Sequence, residues 1–127
     1  MIVLDASVLI AHLDERDVHH ERATRLLADT GAEPLGASTI TLAETLVAPT
    51  RAGRLEDVVA ALDRLGVTEL QLGTEVPARL SRLRAEVGCK LPDCCVLLAA
   101  QEHDGTVASF DSALVDAADG LGLQTLQ

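Results

Sequence analysis

The sequence predicts an α/β fold, a three-layer α/β/α sandwich with a mainly parallel central sheet of four to five strands. Two observations point there. Short apolar runs rich in β-branched residues alternate with longer stretches of 3.6-residue periodicity. Hydrophobic residues make up 48% of the 127, yet the chain has one Phe and no Trp or Tyr. Leu, Val and Ala must therefore fill the core, which suits helices packed on a small sheet. The length predicts a single domain over residues 1–127.

Ile2-Val3-Leu4 reads as a buried strand ending at Asp5, followed by a helix over 8–13. A polar break at 17–20 precedes a helix over 21–29, closed by Gly31. Residues 34–38 predict a very short strand. Thr41 and Glu44 then have the spacing of a capping box, opening a helix that should end near Ala48-Pro49. Residues 50–54 form a basic loop. Apolar positions 55, 58, 59, 62 and 65 define the next helix, ended by Gly66. A strand over 67–72, a helix over 75–87 and a helix from Pro92 to His103 follow. The pattern closes with a strand over 106–110, a helix over 111–118 and an edge strand within 121–126.

The formal net charge is −10, from 10 basic and 20 acidic residues. That balance argues against non-specific binding to a phosphate backbone, and the lack of aromatics removes the usual stacking platforms for single strands. Composition alone points to a small-molecule enzyme or a signalling domain. Basic residues concentrate in 51–90, and none follows Lys90. Cys89, Cys94 and Cys95 lack paired zinc spacings and make a poor disulfide framework, so they read as thiols in a reducing cytoplasm. No apolar run is long enough to span a membrane, and the first residues lack a basic signal-peptide region.

Four acids stand out because of where the chain direction delivers them. Asp5 and Asp111 each follow a strand, at the carboxyl edge where parallel sheets bind ligands. Residues 93 to 103 travel ~16 Å as a helix, and residues 106 to 110 return ~16 Å as a strand. Asp93 and Asp111 therefore belong to one edge, and Glu44 reaches it in the first turn of its helix. Each acid alone has an ordinary explanation as an N-cap, capping-box partner or first-turn acid. Together they repel unless a cation neutralises them, and a hard divalent ion with oxygen ligands is the natural partner.

The ordered set Ile2-Val3-Leu4-Asp5-Ala6-Ser7, Leu42-Ala43-Glu44, Leu91-Pro92-Asp93 and Ala108-Ser109-Phe110-Asp111 resembles the PIN domain across essentially the whole chain. Within that family it is similar to the VapC-type toxin ribonucleases. The resemblance implies a Mg²⁺- or Mn²⁺-dependent endoribonuclease, a homodimer, and inhibition by a cognate VapB-type antitoxin. It assigns Asp5, Glu44, Asp93 and Asp111 to the catalytic quartet, with Asp5, Asp93 and Asp111 as metal ligands. Glu44 is a further ligand or the group that orients or deprotonates water. Asp116 is a candidate fifth acid, although an exposed helix-face role is the simpler reading. Ser7 and Ser109 occupy the small polar positions beside the two strand-end acids. Leu114 stands where the family frequently has an aromatic, a change in packing more than chemistry.

For RNA contact the sequence offers Arg51 and Arg54 first, ahead of Arg79, Arg82, Arg84 and Lys90. His12, His19, His20 and His103 read as surface or packing residues, His12 being the best placed of them to touch RNA. Two other classes compete. A phosphoreceiver domain would need a middle-strand Asp and a later Lys, and both are missing. A non-catalytic PIN-like scaffold would not be expected to keep all four acids. The antitoxin is expected to cover the acidic notch with a basic segment.

Overall fold

Three consecutive apolar residues, Ile2–Leu4, form strand β1, and all three are buried. The computed structural model describes residues Met1–Gln127. After β1 come helices α1 (Ala6–Leu13) and α2 (His20–Asp29), then strand β2 (Leu35–Ser38). Helices α3 (Thr39–Arg51) and α4 (Leu55–Leu65) lead to strand β3 (Val67–Leu70). Helices α5 (Val76–Val87) and α6 (Leu91–Glu102) lead to strand β4 (Thr106–Ala108), and α7 (Ser112–Gly120) leads to strand β5 (Thr125–Leu126).

The five strands pair in the order β3-β2-β1-β4-β5, and every pairing is parallel. The direction of winding therefore reverses between β1 and β4. Alternation along the strands sorts side chains into two cores. Ile2, Leu4, Leu35 and Ala37 meet α1, α2 and α4 on one face. Val3, Leu70 and Val107 meet α5, α6 and α7 on the other. The three-layer sandwich is thus as the sequence predicts.

Helix α6 is buried on every side from Cys94 to Ala100, which accounts for its lack of an apolar stripe. It also places two of the cysteines in the core as free thiols. Gly36 is required by packing: a Cβ there would lie 2.6 Å from the Leu70 side chain.

Several boundaries differ from the sequence expectation. Helix α3 begins at Thr39, because Ser38 rather than Thr41 is its cap: the Thr41 N–H donates to Ser38 Oγ at 3.1 Å. The capping box is therefore not formed, and Glu44 sits one turn further into the helix. Pro49 does not end α3. Its ring removes the one N–H bond that would reach the Thr45 carbonyl, yet the helix continues to Arg51. Strand β3 stops at Leu70 because it is an edge strand, with Thr68 and Glu69 exposed. Strand β4 stops at Ala108, where Ser109 and Phe110 turn toward other partners. Only Thr125 and Leu126 of the expected last strand pair.

Candidate active site

Asp5 leaves the carboxyl end of β1 and is 8% exposed. Its side chain caps α1 by accepting from the Ser7 N–H. One oxygen carries all of its protein contacts. Oδ2 accepts from Ser7 Oγ at 2.6 Å and from Ser109 Oγ at 2.8 Å. The chain continues outward: the Phe110 N–H donates to Ser7 Oγ and the Asp111 N–H to Ser109 Oγ, both at 3.0 Å. Two serines thus fix a buried carboxylate and tie the ends of β1 and β4 together. Charge-assisted bonds of this kind are the stronger class. Asp5 Oδ1 has no protein partner.

Asp111 follows β4 and caps α7, its Oδ1 accepting from the Ala113 N–H at 2.9 Å. Both strand-end acids are therefore N-caps as well as members of the site. Asp93 lies half-buried in the first turn of α6, and Glu44 is exposed on α3. Neither makes a hydrogen bond to protein.

The four acids are electrostatic neighbours. Burial, then the charges of Asp5 and Asp93, push Glu44 above its ordinary value. Burial, then Asp5 and Asp111, push Asp93 up, with Lys90 opposing. Asp116 is exposed on α7 and contributes to neither shift. The site lies at the reversal of winding between β1 and β4, where open α/β sheets bind ligands outside the strand ends.

This donor set fits a hard cation. All four groups are carboxylates, each keeps at least one oxygen free of protein hydrogen bonds, and their mutual repulsion is what a cation relieves. No three side chains of His, Cys, Asp or Glu are drawn into a preformed cage. The arrangement suits an ion that takes one or two carboxylates directly and reaches the others through water, as Mg²⁺ does.

The raised carboxylates carry a stability consequence. The folded chain holds protons on Glu44 and Asp93 more tightly than an unfolded chain. Their contribution favours folding below the ordinary carboxylate range and is lost as pH rises through the raised values. Asp93→Asn is therefore expected to raise the Tm of the metal-free protein at pH 7 by a few degrees, and to change it less at pH 4. Thermal melts in EDTA at the two pH values check this; an unchanged or lowered Tm at pH 7 would contradict the repulsion.

The basic candidates divide. Arg54 shares a groove with Glu44, Ile10, Leu13 and Arg16, whereas Arg51 is exposed at the end of α3 and does not line it. Arg79 is engaged by Glu102 and the Leu72 carbonyl, and Arg84 by the Cys89 carbonyl. Those two serve the fold. The sequence did not single out a cluster on the other side of the site. Arg22 of α2 lies over the Phe110 ring with Cζ 4.6 Å from its centroid. The His19 ring lies 5.4 Å away. Nothing local in the sequence indicates that α2 starts above the end of β4.

The fold and this cluster of carboxylates define a class: the PIN domain model matches residues 2–120, and the chain belongs to that family. Among solved structures, a toxin–antitoxin complex from Klebsiella pneumoniae is similar over all of this chain and 97% of its own, at 20% identity and a TM-score of 0.80. The VapC20 toxin of Mycobacterium tuberculosis, described as cleaving the sarcin-ricin loop, is similar over 92% of this chain and 95% of its own. Its identity is 22% and its TM-score 0.73. FitAcB from Neisseria gonorrhoeae is similar over all of this chain and 97% of its own, at 21% and 0.74. No curated protein sequence matches the chain. No helix is long and apolar enough to cross a membrane.

Proposed function

We propose that this protein is a Mg²⁺- or Mn²⁺-dependent endoribonuclease, the toxin of a type II toxin–antitoxin pair acting in the cytoplasm. The observation that carries the reading is the convergence of Asp5, Glu44, Asp93 and Asp111 around one buried, serine-clamped carboxylate. Family membership and the toxin–antitoxin complexes among its structural relatives support it.

Asp5, Asp93 and Asp111 would hold the ion, directly or through water, with Glu44 and Asp116 as outer candidates. When bound, the ion supplies Lewis acidity to the scissile phosphodiester and charge stabilisation at the leaving oxygen. Ser7 and Ser109 keep Asp5 in one orientation, so that its free Oδ1 needs no rearrangement during reaction. Glu44, unbonded and raised in pKa, orients the attacking water or takes its proton. Arg54, across the same groove, offers a phosphate contact.

Charge and shape also support an antitoxin partner. A groove of about 220 Å³ beside Glu44 is lined by Ile10, Leu13, Pro49 and Val58, with Arg16 and Arg54 among its polar residues. A VapB-type antitoxin would lay an apolar segment there and carry a basic side chain to the acids. A homodimer is the assembly proposed for the toxin itself.

Total RNA incubated with the purified protein and Mg²⁺ or Mn²⁺ should give discrete new ends on end-mapping. EDTA should remove them and added metal restore them. Cleavage that persists in EDTA, or no cleavage of any RNA with either metal, would overturn the reading.

A further inference from the structure

We propose that Arg22, stacked on Phe110 and flanked by His19, is a phosphate clamp for the RNA strand beside the carboxylate cluster; the role rests on the ribonuclease reading above. Phe110 is fixed to the site through its backbone. It lies between Ser109 and Asp111, and its N–H donates to the Ser7 hydroxyl that holds Asp5. The Arg22 guanidinium lies 4.6 Å from the ring centroid, and the His19 ring is tilted by 45° at 5.4 Å. The sole aromatic carbocycle of the chain thus carries a cation next to the acids.

Arg22 is free to bind an anion. The ion pairs of the molecule join Met1 to Glu33, Arg16 to Asp14 and Arg79 to Glu102, and none involves Arg22. A guanidinium stacked on a ring keeps its N–H groups in its own plane, available for two parallel bonds to a phosphate. The stack also restrains a long side chain before ligand arrives, which lowers the ordering cost of binding.

The surroundings set the length of the footprint. Arg22 and Arg25 line a groove of about 680 Å³ between α2 and the β4–β5 side of the sheet. Its other charged residues, Asp29 and Glu33, lie toward the amino edge, where Glu33 pairs with the Met1 ammonium. Arg22 marks the end of the groove beside Phe110, and the anionic end repels a strand. The clamp therefore grips one or two phosphates flanking the scissile one, which suits a chain of net charge −10.

The test is binding of a fluorescein-labelled single-stranded oligoribonucleotide of mixed sequence, by anisotropy with Ca²⁺ in place of Mg²⁺, at several salt concentrations. Arg22→Ala should weaken binding roughly tenfold and lower the salt slope by about 0.7, one phosphate on a single strand. Arg22→Lys should keep the slope but lose several-fold in affinity, because an ammonium neither stacks nor forks. Phe110→Leu, which keeps apolar bulk, should lose affinity with little change in slope. Arg64→Ala on α4, with the fold checked by thermal melting in every variant, sets the effect of removing an unrelated positive charge. Arg22→Ala with wild-type affinity and slope, or a loss no larger than that of Arg64→Ala, overturns the clamp alone. A wild-type protein that binds no RNA overturns the clamp and the ribonuclease reading together.

Discussion

Asp5→Asn is expected to lower RNA cleavage at least about a hundredfold in saturating Mg²⁺, with the fold intact. The substitution is nearly isosteric. An amide oxygen in place of Oδ2 still accepts from Ser7 Oγ and Ser109 Oγ, so the link between β1 and β4 survives. What changes is the charge and the free oxygen, which becomes an NH₂ donor where a cation needs an acceptor. Loss of one of several repelling acids should leave the Tm at or above that of the wild type. End-mapping of total RNA, read beside a thermal melt, separates the two effects. A variant with full activity would show that Asp5 is only the cap of α1.

Leu97→Ala should have the largest effect on stability, about 2–5 kcal/mol, read as a lower urea midpoint at unchanged slope. Leu97 is fully buried in α6, on the face shared with Val3, Leu83, Val107 and Leu114. A core with a single Phe has no large rings to spread into a vacated space, so the cavity persists. Domains are typically stable by only about 5–15 kcal/mol, so one buried leucine side chain carries a sizeable share. A loss under about 1 kcal/mol would mean that α6 is not central to the core.

The fold was legible because its signals are local. The run Ile2–Leu4, the glycine stops at Gly66 and Gly88, and the helical stripe of 55–65 all reappear at the expected places. Strand direction alone then brought Asp5, Asp93 and Asp111 to one edge. Illegible features depended on partners distant in sequence. Thr41 and Glu44 have capping-box spacing, but Ser38, freed by the end of β2, takes the cap first. Ser109 looked like a small polar neighbour of Asp111, yet its hydroxyl serves Asp5, 104 positions away. Arg22 is not singled out by any sequence pattern. Only the packing of α2 over the end of β4 sets it on Phe110.

The central place of β1 in the sheet has a consequence for how the protein is made. The strand is translated before both of its partners, and its neighbour β4 is more than a hundred residues behind it. Until Thr106–Ala108 and Ser109 have been translated, Asp5 has one of its two serine donors and half of its strand partners. Such distant pairing also slows folding. The cluster of four acids is therefore completed only once β4 and Asp111 have been made, and on the function proposed above a shorter nascent chain holds no assembled site.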